Sequence, residues 1–300
     1  MSETRTLRDA RQVLDAAGLD GWFVVRDLRS GAEIAIDPQT SVPAASLVKL
    51  PLALAVLDRV HRGGIDPAAP LHVEPDPSAV PGPVGLGRFR HPATVAVEDA
   101  VYLAVALSDN TAADALLDLA PPREVTTWLL EHGVHGTTIR HPIGDLADTP
   151  VEAMPDDPRL ALTLAARGGT PGHGHPVRQL DVARTSVTTA ASFADLLQLV
   201  WEPGDRLAPE VAGHVRDLLA ANVHRQRLWP DFAADDAAWS SKTGTVLNLR
   251  HEAGVVEHAD GAAFAVVALT ASRVPASVQP AAEAAAGHVA RLLHDELRRR

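Results

Sequence analysis

The chain has 300 residues, 46% of them hydrophobic and 22% charged, which suits a soluble globular protein with a large core. Its net charge of −11 and lack of a basic cluster exclude a nucleic-acid footprint; the one basic run, "RRR", closes a helical segment whose C-terminus favours cations. It has no cysteine, so disulfide and thiol chemistry are excluded as well.

The N-terminus "MSETRTLRDARQVLDAAG" is polar where a secretory leader would be apolar, and no run reaches the roughly 18 apolar residues of a membrane span. The expectation is a cytoplasmic protein with no membrane partner. Residues 5 to 17 read as an amphipathic helix stopped by Gly18. "GWFVVRDL" (21–28) and "AEIAID" (32–37) flank "RSG" as a hairpin. "SLVKLPLALAVLDRV" (46–60) is apolar nearly all round and predicts a buried helix. A Pro- and Gly-rich stretch, 63–94, reads as irregular connection, and 97–133 is helical again.

A long region, 134–188, is rich in Pro, Gly and His. Two helices follow, "ASFADLLQLVW" and "PEVAGHVRDLLAAN", then strands in "WSSKTGT", "AGVVEH" and "AAFAVVALT", and a helix from Ser277 to Arg298. Strands at both ends must pair if their edges are to be covered. The expected organisation is therefore one discontinuous domain, 1–62 with 215–300, and a helical domain, 63–214, inserted between its halves.

Of 27 basic residues only Lys49 and Lys242 are lysine. Ser46 and Lys49 stand three apart at the head of a helix, so their Cβ atoms lie roughly 5–6 Å apart on one face. A serine hydroxyl is a poor nucleophile until a base takes its proton. Lysine can be that base once burial lowers its pKa, whereas arginine stays protonated. The second lysine opens "KTG" (242–244) on a strand, and "SDN" (108–110) separates two helical segments. Each motif alone has an ordinary structural reading, as an N-cap or a strand end. The set is informative because the three occur together in this order.

This set resembles the class A β-lactamase and penicillin-binding-protein family of active-site serine enzymes. The resemblance implies an α+β fold, an antiparallel sheet flanked by the terminal helices with an inserted all-helical domain. It makes Ser46 the acylated nucleophile, Lys49 its proton acceptor, Ser108 the shuttle to the leaving nitrogen and Lys242 the cation that tunes Ser108. Asn110 would bind the substrate amide and Thr243 and Thr245 its carboxylate, with Gly244 allowing close approach and Arg250 adding charge. The backbone N–H groups of Ser46 and Thr245 would form an oxyanion hole. No cofactor is implied, and the partner is a small-molecule substrate.

The family's deacylating glutamate has no counterpart. Its place counts to Ile143 or Gly144 in "TTIRHPIGDLADTPVEAMPDD" (137–157), within a longer, rebuilt loop. Asp145, Glu152 and His141 are the candidate substitutes. "GHGHP" (172–176) lacks a third metal ligand, so no metal is expected. The sequence thus points to a hydrolase that acylates readily and deacylates weakly. A penicillin-binding-type peptidase or acyltransferase, and a ligand-binding sensor that kept the pocket, are the alternatives.

Overall fold

In the computed structural model, residues 3–74, 84–146, 158–168, 174–234 and 236–300 are described. The first third contains α1 (Glu3–Ala16), β1 (Leu19–Asp27), β2 (Glu33–Ile36), β3 (Val42–Pro43), α2 (Lys49–His61), β4 (Pro70–Val73) and β5 (Ala93–Ala96). The middle contains α3 (Val97–Ala106), α4 (Asn110–Leu119), α5 (Pro122–Glu131), α6 (Pro158–Arg167), β6 (Val187–Thr188), α7 (Ala190–Trp201) and α8 (Pro209–Ala220). A short α9 (Trp229–Phe232) precedes β7 (Ala237–Val246), β8 (Leu249–His258), β9 (Ala263–Ser272) and α10 (Pro280–Arg298).

Five strands form one antiparallel sheet in the order β2-β1-β9-β8-β7, so the N-terminal hairpin is completed by the last strand of the chain. Side chains alternate across this sheet and both faces are covered. Phe23, Val25, Phe264 and Val266 pack on one face with Leu14 of α1 and Val289 and Leu293 of α10. Val24, Ala265, Val267 and Leu269 point the other way, into a larger core built around α2. Double coverage explains why β9 reads as a nearly unbroken apolar run instead of an alternating one.

The helix α2 is buried from Lys49 through Asp58, as its all-round apolar sequence requires. Pro51 lies in its first turn, where the missing N–H is cheap. The mid-chain helices α3, α4 and α5 pack against α2, whereas α7 lies on β1 and β9.

Two local differences from the sequence reading matter for the site. Ser46 lies not in α2 but in the 3-10 turn before it (Ala45–Val48), after Ala45 at φ +48°. The expected helical run 97–133 is split at Ser108, φ +61°, and again at Pro121. Both positive-φ residues carry a Cβ, so each is held against a local cost by its surroundings.

His251 on β8 is one such support. It is fully buried; its Nε2–H donates to the carbonyl of Pro43 and its Nδ1 accepts from the N–H of Thr270. Burial first, then the cations Arg227 and Arg250, lower its pKa from 6.5 to about 4. Between those values the unfolded chain binds a proton that the folded chain refuses. Stability from this residue is therefore complete above pH 6.5 and falls as pH drops towards 4. In urea titrations, the stability advantage of wild type over His251→Asn shrinks across that window, by at most about 1.4 kcal/mol per pH unit. An advantage independent of pH would show that His251 does not carry the linkage.

Candidate active site

The nucleophile turn is clamped from three sides. The strand β3 pairs with β6, Ala44 N–H donates to Ser186 O, and His251 holds Pro43. On the fourth side lies Gly244 of β7. A Cβ there would meet Leu47 Cγ at 3.2 Å and Ala44 O at 3.3 Å. The glycine of "KTG" thus lets the strand approach the Ser46 turn itself.

The two lysines meet on one hydroxyl. Lys49 Nζ lies 3.2 Å from Ser108 Oγ and Lys242 Nζ lies 3.0 Å from the same atom. Lys49 also lies 3.4 Å from Ser46 Oγ and donates to Ser108 O and Asn110 Oδ1, both at 2.6 Å. Lys242 donates to Thr243 O at 2.8 Å. Both lysines are 0% exposed. Burial lowers Lys49 from 10.5 to about 7, against the pull of Asp109 and Asp114. Lys242 is also held well below its ordinary value, by burial and then by Lys49 and Arg227.

A neutral lysine has two N–H bonds and one lone pair. At Lys49 the two short contacts go to obligate acceptors, Ser108 O and Asn110 Oδ1. The lone pair is left for the hydroxyls of Ser46 and Ser108, which is the arrangement a general base needs. Ser46, Lys49, Ser108, Asn110 and Lys242 are thus brought together.

The middle residue of "SDN" does the structural work. Asp109 caps α4, accepting from the N–H groups of Thr111 and Ala112, while its other oxygen accepts from Leu86 N–H. Gly85, φ +90°, lies so close that a Cβ would collide with this carboxylate. One turn along α4, Asp114 accepts from the N–H groups of Ile143 and Gly144 at 2.5 and 2.8 Å. Those are the positions where the deacylating glutamate is counted. The structure places a backbone tether to Asp114 there, and Ile143 and Gly144 carry no carboxylate of their own. Asp114 was not predicted; its i+4 relation to Asn110 was the available signal.

Arg250, expected to add charge beside the substrate carboxylate, lies opposite Thr245 with its Nε 3.7 Å from Glu283. Its guanidinium donates to the carbonyls of Leu247, Leu249 and Ser277, closing the turn between β7 and β8. A second arginine, Arg227, lies just before α9. Its Nη2 donates to Thr245 Oγ1 at 2.6 Å, and its Nη1 to Gly244 O and His251 O. Glu283 of α10 anchors its Nε at 3.1 Å. Counting along "KTG" could not find it, because it arrives from a different segment. Beneath it, buried Glu252 of β8 accepts from Leu228 N–H, Trp239 Nε1–H and Ser241 Oγ–H. Burial raises its pKa while these donors oppose the rise.

The deacylation candidates fare differently. His141 donates from Nδ1 to Pro142 O and accepts at Nε2 from Ser186 N–H, so its ring is spent as a strut. Asp145 faces Arg178 at 3.7 Å on a half-exposed turn. Glu152 lies outside the described residues. So does His173 of "GHGHP", while His175 accepts from Val177 N–H. Among the described residues, no group of three metal-ligating side chains and no helix long and apolar enough to cross a membrane occurs.

Comparison with known proteins agrees with this fold. A model of the "Beta-lactamase enzyme family" matches residues 6–297. The Streptomyces cacaoi protein named "Beta-lactamase regulatory protein BlaB" is 53% identical over 303 residues, 97% of each chain. A PBP-A variant solved as its acyl-enzyme with penicillin G superposes with a TM-score of 0.76 at 19% identity, covering 99% of this chain and 97% of that one. An ancestral class A β-lactamase of Gram-negative bacteria gives 0.74 at 23% identity, covering 97% and 99%. With its sheet, its helices and its matched length in accord, the chain belongs to the β-lactamase enzyme family.

Proposed function

We propose that this protein opens a β-lactam, or a related small amide bearing a carboxylate, to form an acyl-enzyme on Ser46, and that it releases the acyl group slowly. The observation that carries this reading is buried Lys49 Nζ set between two serine hydroxyls, 3.4 Å from Ser46 Oγ and 3.2 Å from Ser108 Oγ. Lys49 takes the Ser46 proton as the oxygen attacks the carbonyl carbon. The proton passes to Ser108, 3.2 Å from Lys49, and on to the departing amide nitrogen as the C–N bond breaks. Lys242 donates to Ser108 throughout and stabilises its oxygen when that oxygen gives up a proton. The N–H groups of Ser46 and Thr245 stabilise the tetrahedral oxyanion, and Arg227 with Thr245 receives the carboxylate.

Slow release is inferred because Ile143 and Gly144, where the family's deacylating glutamate is counted, are held by their N–H groups on Asp114. A second reading is favoured by the printed name of the Streptomyces relative. A long-lived adduct on Ser46 would report the presence of a β-lactam, and the chain would act as a regulator through that adduct.

The pKa reading is directly measurable because the chain has only two lysines. With ¹³Cε-lysine labelling, two resonances are expected, both titrating below 10.5 and the one lost in Lys49→Met doing so near pH 7. A Lys49 midpoint near 10 would remove the proposed base.

Incubation with penicillin G should add one acyl mass, with a rate that rises through about pH 7. Ser46→Ala abolishes the adduct and Lys49→Arg slows it by about 10²–10⁴-fold. Release is expected to be slower than acylation, so the adduct accumulates; turnover without accumulation would disprove slow release, and an adduct in Ser46→Ala would disprove the nucleophile.

The two arginines separate by substrate. Arg227→Gln lowers acylation efficiency towards penicillin G about tenfold or more, and much less towards an ester lacking a carboxylate. Arg250→Gln leaves the ratio between the two substrates unchanged. Equal losses on both substrates in Arg227→Gln would place that residue in the scaffold alone.

A further inference from the structure

Residues 222–224, between α8 and α9, take no part in the mechanism above, yet they join both halves of the site. Val223 N–H donates to Ala106 O at 3.1 Å, and His224 Nε2 lies 3.3 Å from Leu107 O. The two carbonyls that close α3 are thus held from this segment. Leu107 immediately precedes Ser108, the residue at φ +61°, whose backbone is kept there against a local cost.

The same segment reaches β7. Buried Asn222 accepts from His224 N–H at Oδ1, 3.0 Å, and donates from Nδ2 to Ser241 Oγ at 3.2 Å. Its amide orientation is fixed because the oxygen faces a backbone N–H. Ser241 donates in turn to Glu252 and immediately precedes Lys242. The two grips therefore fall one residue before each partner of the 3.0 Å contact between Lys242 Nζ and Ser108 Oγ.

A carbonyl can only accept, so His224 Nε2 carries the hydrogen and donates to Leu107 O. Burial, then Lys242, with Arg227 and Lys49 adding to it, lowers the pKa of this half-buried ring below 6.5. A neutral ring holds the turn without adding a charge beside the two lysines.

We infer that His224 is a positioning residue for the Ser108 relay: its hold on Leu107 O keeps Ser108 Oγ between Lys49 and Lys242. This rests on the reading of Ser108 as the shuttle to the departing nitrogen. A relay matters where the leaving group needs a proton, so the test compares leaving groups. His224→Leu should slow acylation by penicillin G, whose nitrogen must be protonated, about tenfold or more. With a 4-nitrophenyl ester, whose oxygen departs as the anion, the loss should stay below about threefold. His224→Gln, whose Nε2–H can meet the same carbonyl, should restore most of the penicillin rate; His224→Asn, one methylene shorter, should not. In Ser108→Ala, which lacks the relay, adding His224→Leu should cost less than about threefold more. Equal losses on both substrates, no rescue by glutamine, or full additivity with Ser108→Ala would overturn the assignment.

Crystal structures give a readout that needs no acylation. His224→Leu should show Ser108 Oγ out of hydrogen-bond reach of Lys242 Nζ, and His224→Gln should show it in place. If wild type forms no adduct, the proposed reaction is lost, and this structural comparison still decides whether His224 positions Ser108. An unmoved hydroxyl in His224→Leu would overturn the inference. If the leucine variant fails to fold, the glutamine and asparagine variants decide the matter in the same way.

Discussion

Two lysines buried against one serine hydroxyl are the constraint on which the rest of this structure depends. Placing two ammonium groups out of water is prohibitive unless they lose their protons or find compensation. Here Lys49 and Lys242 converge on Ser108 Oγ, and among the described residues no carboxylate makes a hydrogen bond to either. What surrounds them is carbonyl, amide and hydroxyl oxygen, with Asp109, Asp114 and Glu252 acting only at longer range. An ion pair would have restored the charged form and left no base. The site is built to keep lysine close to losing its proton.

Holding that cluster requires backbone in unfavourable conformations at two places, Ala45 and Ser108. Each is fixed from several directions. The Ser46 turn is held by Ala44 to Ser186, by Pro43 to His251 and by Gly244 beside it. The Ser108 turn is held by Asp109, which caps α4 and binds Leu86 N–H at the same time. The carboxylates of this region thus serve the backbone. That is also why Asp114, despite its place near Lys49, acts as a tether for Ile143 and Gly144. On the proposed mechanism, acylation would rest on the sheet and α2, and deacylation on the segment around Ile143 and Gly144.

The sheet, the buried α2 and the convergence of the three motifs were legible in the sequence because each rests on local pattern. Alternation, all-round apolarity and the rarity of lysine need no knowledge of distant contacts. Arg227 was not legible because its role depends on which segment passes behind β7, a tertiary fact. Arg250 was counted from "KTG" along one segment, and the pairing of β7 with β8 sets it opposite Thr245, with its guanidinium on the carbonyls of the hairpin turn. The helix expected to begin at Ser46 begins later for a related reason. Periodicity reports which face is apolar, and the 3-10 turn before α2 keeps the same buried face.

The preference for arginine elsewhere now has a physical counterpart within the site. Arg227 is as buried as the lysines, but its fork is filled by Gly244 O, His251 O, Thr245 Oγ1 and the Glu283 carboxylate. A guanidinium tolerates such burial with its charge intact because its several donors are satisfied in one plane. An ammonium at that point could fill only part of the set. Conversely, a guanidinium at position 49 would keep its proton in the same oxygen-lined pocket, and Ser46 would face a donor with no lone pair. The two kinds of cation therefore divide the pocket by chemistry: arginine where burial leaves the charge satisfied by several acceptors, lysine where burial favours its loss.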